Sequence, residues 1–369
     1  MSTTAFDVIV VGAGIAGASV AAHLAPHLRV ALLEREPQPG WHSTGRSAAM
    51  FMESYGPAQV RALTRASRRA FEALPGALAP RGALFVGRAG QADAIEALQS
   101  ALATEGAPAR RLGAEAACAL VPALRAEAAA HALLDPSAAD LDVHAVHQHF
   151  LRQVSAQGSV LKCDAEVTAL SRTGADWTLA LADGSTWRAA VVVNAAGAWA
   201  DELAARAGVT PLGLQPRRRS AFTFAPPAGV DVRAWPCVAG IDEDFYFKPD
   251  AGVLLGSPAN ADPVPPHDVV AEELDVATGI ARIEEATTLA IRRPLRTWAG
   301  LRSFVADGAL VGSFDDAVPG FFWCCGQGGY GIQTSPAMGA ACAARILGQA
   351  LPPWIADEGL AFDDLRCRR

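Results

Sequence analysis

The chain has 369 residues, with 31 basic and 38 acidic side chains, a formal net charge of -7 and an isoelectric point near 5.6. This length fits two closely joined domains, and the acidic balance without a block of like charges argues against nucleic acid as a partner. No apolar run reaches the ~18 residues of a membrane span, so we predict a cytoplasmic protein with no integral membrane segment and leave peripheral association with the inner membrane open.

The first part of the chain predicts a βαβ unit followed by an insertion. Residues 6–11 read as a buried strand, residues 14–26 as an Ala-rich helix and residues 29–34 as a second strand. Helical periodicity then runs through 58–80 and 91–104. The helical region therefore reads as a domain inserted after the βαβ unit.

The rest of the chain predicts a return to the first domain and an antiparallel sheet. A helix over 142–157 precedes a buried strand over 189–193. From 211 to 294, strand-like pieces alternate with Pro- and Asp-rich turns around one helix near 271–286. The segment 308–350 adds a strand, a Gly-rich turn and a helix. The antiparallel part suits a sheet that covers a ligand.

The turn after the first strand carries a dinucleotide-binding fingerprint. Gly12, Gly14 and Gly17 form GAGIAG, and Glu34 ends the next strand about 20 residues later. The glycines allow a tight turn, close approach of a diphosphate and close packing of helix on strand, and the helix N-terminus faces the phosphate charge. Glu34 is predicted to accept hydrogen bonds from a ribose.

Two further segments favour FAD over NAD. The stretch GWHSTGRSAA (40–49) is small and polar enough to wrap the flavin-side diphosphate, and the turn Gly326–Gly331 precedes a helix whose N-terminus stabilises charge on a reduced flavin. The predicted cofactor-binding residues are Gly12, Gly14, Ala16, Gly17, Glu34, Arg35, His42, Ser43, Thr44, Arg46, Ser47, Ala48, Val167, Ala196, Gly197, Trp199, Gly328, Gly329, Tyr330, Gly331, Ile332 and Gln333.

Together these elements predict an α/β protein. It combines a discontinuous, glutathione-reductase-like Rossmann FAD domain with an α+β substrate domain that contains an antiparallel sheet. The predicted FAD-binding domain comprises 1–50, 140–210 and 295–369, and the substrate-binding domain comprises 51–139 and 211–294. The seven cysteines show no CxxC pair and no metal-ligand spacing, so no metal site and no disulfide framework are predicted.

A set of segments in fixed order carries a resemblance over nearly the entire chain. They are GAGIAGAS, LEREPQPGWHSTGRSAA, VVNAAGAWAD, LGLQPRRRSAF, FYFKPDAG, LLGSPANADP, IEEATTLAIRRP, TWAGLRSFVADG and QGGYGIQTSPAMG. The chain thereby resembles the D-amino acid oxidase/dehydrogenase flavoproteins, and among them the bacterial D-arginine dehydrogenase group. The resemblance implies two-electron oxidation of an amino acid to an imino acid, with FAD held noncovalently because TWAGLRSF lacks a cysteine.

The resemblance also implies a carboxylate-binding site. Arg302 in GLRSF matches the arginine that pairs bidentately with the substrate carboxylate, and Tyr246 in DFYFKP matches a tyrosine that adds a second contact. Arg219 in RRRSAF matches another site arginine, although Arg217 and Arg218 leave open which of the three faces inward. These matches make the amino acid carboxylate the anchor of the predicted substrate.

Two more residues complete the predicted catalytic set of Arg302, Tyr246, Arg219, Tyr55 and Gly329. Tyr55 matches a tyrosine on a loop that covers the substrate, and Gly329 offers backbone contact to the substrate amine. No catalytic base stands out. Water or His42 is the candidate proton acceptor.

Departures from the D-arginine pattern bear on the substrate side chain. Ala83 in PRGALFV stands where that group has a glutamate, and Met50 stands where it has a histidine. With Met52 and Tyr330 they predict an apolar pocket that prefers neutral or apolar D-amino acids over D-arginine, with Glu53 as an alternative acid. Hydride would pass from Cα to flavin N5, and the imino acid would hydrolyse to a 2-oxo acid and ammonia.

Other readings of the sequence stay open. The carboxylate-binding residues also suit glycine, an N-methyl amino acid, proline or a 2-hydroxy acid, and a noncatalytic flavin-binding protein is a further alternative. The segment HSTGRSAA disfavours an NAD-dependent dehydrogenase. The electron acceptor is a quinone, oxygen or another oxidant, and the resemblance favours a dehydrogenase.

Overall fold

The computed structural model describes residues 4–367, so the outermost residues of the predicted FAD domain, 1–3 and 368–369, lie outside the described part. Helices α1 to α9 span Ile15–Leu24, Ala58–Glu72, Ala92–Thr104, Ala114–Leu120, Val143–Ala156, Ala200–Arg206, Glu273–Ala286, Ser335–Ile346 and Pro353–Ala356. Short 3₁₀ helices span Ala89–Gln91, Gly197–Trp199 and Phe362–Leu365. No helix in this range is long and apolar enough to cross a membrane.

The strands fall into three sheets. Strands β1 to β20 span Thr4–Val11, Val30–Leu33, Met50–Phe51, Leu78–Pro80, Ala83–Gly87, Arg110–Gly113, His131–Asp135, Ala139–Leu141, Val160–Lys162, Val167–Thr173, Asp176–Leu181, Thr186–Asn194, Gln215–Phe224, Cys237–Gly240, Tyr246–Asp250, Val253–Ser257, Asp262–Pro263, Arg296–Phe304, Val311–Phe314 and Phe321–Cys325. A small sheet has the order β3-β8-β4 and the two others are large.

The first large sheet has eight strands and a parallel centre. Its order is β10-β11-β12-β1-β2-β9, with β20 beside β12 and β19 beside β20. Strand β1 runs parallel to both β2 and β12, and β12 runs parallel to β20. The apolar runs of β1 and β2 are continuous because strands in such a sheet are covered on both faces. The carboxyl ends of these strands therefore meet along one edge, where α/β sheets bind ligands.

The second large sheet has nine strands and is mostly antiparallel. Its order is β17-β13-β16-β15-β14-β5-β7-β6, with β18 on the other side of β13 and a parallel pair between β14 and β5. One face packs an apolar core that includes Phe222, Leu254 and Ile283. This arrangement confirms the predicted α/β class with an antiparallel sheet in a second layer. The opposite face is free to line a cleft.

Two details differ from the sequence prediction. Strand β18 lies within the predicted FAD segment 295–369, but all nine of its residues pair with β13 in the second large sheet. Periodicity predicts a strand without identifying its partner, so the segment boundary at 295 does not follow the sheets. The helix predicted over 58–80 ends at Glu72, because Pro75 and Gly76 (φ 79°) break it before β4.

Candidate active site

A cleft of about 1600 Å³, counting the open space at its mouth, lies between the two large sheets. This volume exceeds the need of a small amino acid and suits an extended dinucleotide. The predicted cofactor residues that line it are Gly12, Gly14, Ala16, Glu34, Arg35, His42, Ser43, Thr44, Arg46, Ser47, Ala48, Val167, Ala196, Gly197, Trp199, Gly328, Gly329, Gly331 and Ile332. Gly17, Tyr330 and Gln333 lie outside its lining.

The Gly-rich turn forms a cradle at the start of α1. A Cβ atom on Gly17 would lie 1.9 Å from the Gly12 carbonyl oxygen, so only glycine lets the helix start this close to the end of β1. Ile15 N–H donates to Thr44 Oγ1 at 3.0 Å, while the other first-turn N–H groups have no partner within the helix. These features fit the diphosphate of a dinucleotide.

Glu34 is a buried carboxylate at the carboxyl end of β2. Its two oxygens accept hydrogen bonds from Ala13 N–H at 2.9 Å and Glu36 N–H at 3.1 Å. Burial raises the pKa of the Glu34 carboxyl, and the two backbone N–H groups act in the opposite direction. The backbone thus fixes the orientation of this acid at the edge of the cleft.

His42 belongs to the cofactor end of the cleft. Its Nε2 lies 2.8 Å from Glu36 Oε1, and its ring lies 4.6 Å from the Trp199 ring. The Arg35 guanidinium lies over the same Trp199 ring, 5.2 Å from its centroid. The His42 imidazole is therefore hydrogen-bonded to Glu36. These contacts give no support to His42 as the acceptor of the substrate proton.

The segment around Arg46 joins the cofactor loop to the second large sheet. The Arg46 guanidinium donates to Val269 O at 2.7 Å and is ion-paired with Asp268. Ser43 Oγ donates to Leu301 O at 2.6 Å. The Arg46 guanidinium, which the sequence assigned to phosphate or flavin oxygens, is therefore hydrogen-bonded to acceptors of the protein itself. The loop links the cofactor side of the cleft to the second large sheet.

The predicted substrate residues Arg219, Tyr246 and Arg302 line the same cleft. In the β13–β18 pair, Arg219 lies opposite Gly300 and Arg217 lies opposite Arg302. Alternation along β13 directs Arg218 to the other face. Alternation thus excludes Arg218, and position along the strand separates the other two, since Arg219 is in the cleft lining and Arg217 is not.

Arg302 and Arg219 are half-buried cations without an acidic partner in the described residues. Arg302 Nη1 lies 3.4 Å from Tyr55 Oη, and Arg219 Nε donates to Asn260 O at 2.6 Å. Burial works against the charge of Arg302, but the phenols of Tyr55 and Tyr246 outweigh it and raise its pKa. Burial and the neighbouring Arg302 lower the pKa of Arg219. Two guanidinium groups so placed present unpaired positive charge to the cleft, which is the chemistry that an anion requires.

The Gly-rich turn after β20 closes the site from the other side. A Cβ atom on Gly329 would lie 2.7 Å from Arg302 Nη1, so a larger residue would displace the guanidinium. Next to it, the Tyr330 ring packs against Tyr55 at 5.1 Å and Phe304 at 6.4 Å. Burial raises the pKa of the Tyr330 phenol. The rings of Tyr55, Phe304 and Tyr330 therefore form a group next to Arg302, and none of the three is in the lining of the cleft.

The predicted side-chain pocket forms an apolar cluster outside the lining of the cleft. Met52 and Ala83 are buried in it, and Met50 and Tyr55 pack against it. Glu53, the alternative acid, forms an ion pair with Arg68 at 2.7 Å. The structure thus brings the predicted pocket residues together but does not open them to the cleft.

Gln333 has a structural position in the same region. It accepts from Met52 N–H at 3.3 Å and donates to Thr64 Oγ1 at 2.9 Å. The side chain is buried and holds the loop after β3 to helix α2. Its contacts do not support the predicted cofactor role.

Some lining residues escaped the sequence prediction. Trp41, Gln327 and Ser303 line the cleft, and each stands next to a residue or within a segment that the motifs had identified. The Asp268 partner of Arg46 had no signal in the sequence, since it depends on a contact between distant segments. Within residues 4–367, Cys118, Cys163, Cys237, Cys324, Cys325 and Cys342 form no disulfide, and no group of His, Cys, Asp and Glu is arranged to hold a metal.

The chain matches a recognised protein family over most of its length. A family model described as "DAO: FAD dependent oxidoreductase" matches residues 7–345. The chain belongs to this family. FAD is its cofactor, as the fingerprint predicts. Membership confirms the broader resemblance seen in the sequence, whereas an affinity to the D-arginine dehydrogenase group stays a prediction.

The chain is also similar to a curated protein, the FAD-dependent oxidoreductase domain-containing protein 1 of Bos taurus. The two are 29% identical over 178 residues, which cover 43% of this chain and 36% of that protein. The match thus spans little more than a third of the relative. It does not extend a function to this chain.

Solved structures agree closely in fold over nearly the whole chain. Glycine oxidase from Geobacillus kaustophilus has a TM-score of 0.83 and 22% identity, covering 100% of this chain and 99% of that one. L-proline dehydrogenase from P. horikoshii has a TM-score of 0.83 and 20% identity, with 97% and 99% covered. FAD-bound L-alpha-glycerophosphate oxidase from Mycoplasma pneumoniae has a TM-score of 0.86 and 18% identity, with 95% and 96% covered. At this identity they establish the fold alone.

Proposed function

We propose that this protein is a D-amino acid dehydrogenase that converts its substrate to an imino acid, which hydrolyses to a 2-oxo acid and ammonia. One observation carries the proposal. Arg302 and Arg219 offer two guanidinium groups without an acidic partner in the described residues, in the same cleft as the FAD fingerprint. A carboxylate is the anion that a planar guanidinium binds best, through two parallel hydrogen bonds.

In the proposed mechanism, the protein orients the substrate and supplies no nucleophile. Arg302 binds the α-carboxylate, the hydroxyl of Tyr246 adds a contact, and the backbone of Gly329 faces the amine. This fixation points the Cα–H bond at the cofactor. FAD, when bound noncovalently, supplies a two-electron acceptor for the hydride. The substrate ammonium group first gives a proton to water, and the lone pair of the resulting neutral amine forms the C=N bond as the hydride leaves Cα.

The proposed substrate preference is for uncharged side chains over cationic ones. The cluster around Met52 and Ala83 is apolar, and the nearby acids already have partners. Glu53 binds Arg68, and Asp140 binds Lys248 at 2.7 Å. A guanidinium on the substrate would therefore find both of these carboxylates already paired, and a desolvated charge without a partner is costly.

The proposal rests on the sequence resemblance for its D-stereochemistry, and the test must separate both enantiomers. Purified holoenzyme would be assayed with an artificial dye acceptor, which removes the need to know whether quinone or oxygen is the natural one. We expect 2-oxo acid and ammonia from D-leucine and D-methionine, little from D-arginine and none from the L-forms. Turnover of L-amino acids, glycine or lactate instead would contradict the proposal and favour another small amino or 2-hydroxy acid.

A further inference from the structure

The positive charge of the anion site exceeds what one amino acid carboxylate neutralises. Arg219 and Arg302 both line the cleft, and neither forms an ion pair within residues 4–367. Arg218, on the opposite face of the same strand, contrasts with them because Asp275, Glu272 and Asp262 surround it. Arg218 is thus paired with acids of the protein, whereas Arg219 and Arg302 remain able to bind an anion from outside the protein.

The two cleft arginines stand far enough apart to hold separate groups. Arg219 lies opposite Gly300, and Arg302 follows two residues later on β18, which gives a diagonal Cα separation of ~7–8 Å. Gly300 has no side chain to stand between the two guanidinium groups. Arg219 Nε donates to Asn260 O, so its terminal nitrogens stay available to a ligand. Glu243 acts on its charge from an exposed position and forms no ion pair with it in the described residues.

We propose that Arg219 binds a second carboxylate, carried by the side chain of the substrate, and that acidic D-amino acids such as D-aspartate and D-glutamate are preferred over their amides. This inference rests on the proposed function and extends it from uncharged to acidic side chains. A side-chain carboxylate replaces the missing acidic partner of Arg219. A cationic side chain would meet a second positive charge at the same place.

The competing arrangement places both arginines on one α-carboxylate. In that case Arg219 strengthens the binding of every substrate equally, because it contacts a group that all of them share. If Arg219 instead binds the side chain, its removal affects acidic substrates selectively. The two arrangements therefore differ in a ratio between substrates rather than in the activity itself.

The test uses pairs of substrates that differ in charge but hardly in shape. We expect kcat/KM for D-glutamate over D-glutamine, or for D-aspartate over D-asparagine, to be about tenfold or more, as a charge-assisted hydrogen bond provides. Arg219→Gln should bring this ratio near one, and Arg219→Lys should keep part of it. Arg217→Gln is the matched control, since Arg217 lies two residues away on the same face of β13 but outside the cleft lining, and it should keep the ratio.

A binding measurement covers the case in which the proposed reaction is wrong. Glutarate and its monoamide, glutaramate, would be titrated into the FAD-loaded protein while the visible flavin spectrum is recorded. Tighter binding of glutarate that disappears in Arg219→Gln supports the second carboxylate site. A ratio of one in the wild type, or an equal loss for both members of each pair in Arg219→Gln, overturns it. If only the proposed reaction is wrong, no D-amino acid gives a product, but glutarate still binds more tightly than glutaramate.

Discussion

Arg302 is a residue that is costly to desolvate, and the proposed function gives a reason for keeping it. Its charge is half-buried beside a second arginine, and the phenols of Tyr55 and Tyr246 are the groups that raise its pKa. In a purely structural role, such a cation would have a carboxylate partner, as Arg218 has in Asp275. The absence of one among the described residues is explained if the substrate supplies it.

Replacing Arg302 by lysine keeps the charge and removes the planar fork. We expect Arg302→Lys to lower kcat/KM by about 30-fold or more, which corresponds to ~2 kcal/mol of lost transition-state stabilisation. Steady-state kinetics would measure the loss, and the flavin content should be unchanged because no FAD contact is removed. Arg217→Lys serves as a control of equal chemistry outside the cleft lining. Unchanged kcat/KM in Arg302→Lys would mean that the carboxylate binds elsewhere.

At the scale of single residues, the sequence predicted which residues lie at the cleft better than it predicted which side chains contact one another. The motif identified Glu34 and the resemblance identified Arg302, because each stands in a pattern of neighbours with a known geometry. The choice among Arg217, Arg218 and Arg219 needed the structure of β13. Its alternation turns Arg218 to the other face, and of the two arginines that share a face only Arg219 reaches the cleft lining. The sequence also assigned Arg46 to the cofactor, since it contains no sign of the distant Asp268 that binds it.

Helix α1 is the element on which the cofactor site depends, because its first turn meets β1 almost without clearance. A Cβ atom on Gly17 would lie 1.9 Å from Gly12 O, a backbone atom that cannot move aside cheaply. We expect Gly17→Ala to destabilise the protein by ~2 kcal/mol or more and to abolish FAD binding. Thermal unfolding and the ratio of flavin to protein would measure both effects.

Gly90 provides the control for this substitution. A Cβ atom there meets nothing within 4 Å, so Gly90→Ala should leave both the unfolding temperature and the flavin content near wild type. Normal FAD binding in Gly17→Ala would contradict the packing account of the fingerprint. Equal losses in the two variants would show that the substitution type, rather than the position, causes the effect.

A buried histidine, His147, and a half-buried one, His23, make the helical layer around α1 sensitive to acid. His23 lies in α1, and His147 in α5 donates from Nε2 to Ala13 O at 2.9 Å. Burial lowers the pKa of both imidazoles below the ordinary value of 6.5. The unfolded chain then binds these protons more readily than the folded one, so the free energy of unfolding should fall as the pH drops from 6.5 towards 5.

Chemical denaturation at several pH values would measure this dependence. The double variant His23→Gln, His147→Gln should show a flatter curve in the same range, because it removes two of the groups that take up protons on unfolding; His149, whose pKa burial also lowers, remains. Carboxylates with lowered pKa, such as Glu105, contribute mainly below this window. A wild-type stability that is constant or rises between pH 6.5 and 5 would contradict the assignment.

Elements were predictable where a local pattern determines them. The βαβ unit follows from apolar runs and glycines, and the helices over 142–157 and 271–286 from periodicity, which the structure confirms within a few residues. The pairing of β18 with β13 was not predictable, because strand partners depend on contacts between distant segments. The helix over 58–80 was overextended because the periodic signal continued past Pro75, where the chain turns.

On the scale of the whole molecule, the cleft exists because two sheets face each other and are tied together. The parallel sheet contributes the cofactor edge, and the antiparallel sheet contributes Arg219, Tyr246 and Arg302. Arg46 and Ser43 bind the second sheet from the cofactor loop, which keeps the two halves of the site in register. A substrate held on the arginines therefore lies in the same cleft as the FAD fingerprint.

The most direct test of this account is the anaerobic reduction of the bound flavin, followed by its visible absorption after mixing with matched D- and L-amino acids. We predict rapid bleaching by the D-form of a substrate, slower bleaching when its Cα carries deuterium, and none by the L-form. Arg302→Lys should slow the reaction at every substrate concentration that does not saturate. A flavin that no D-amino acid reduces, or one that L-amino acids reduce as readily, would contradict the proposed reaction.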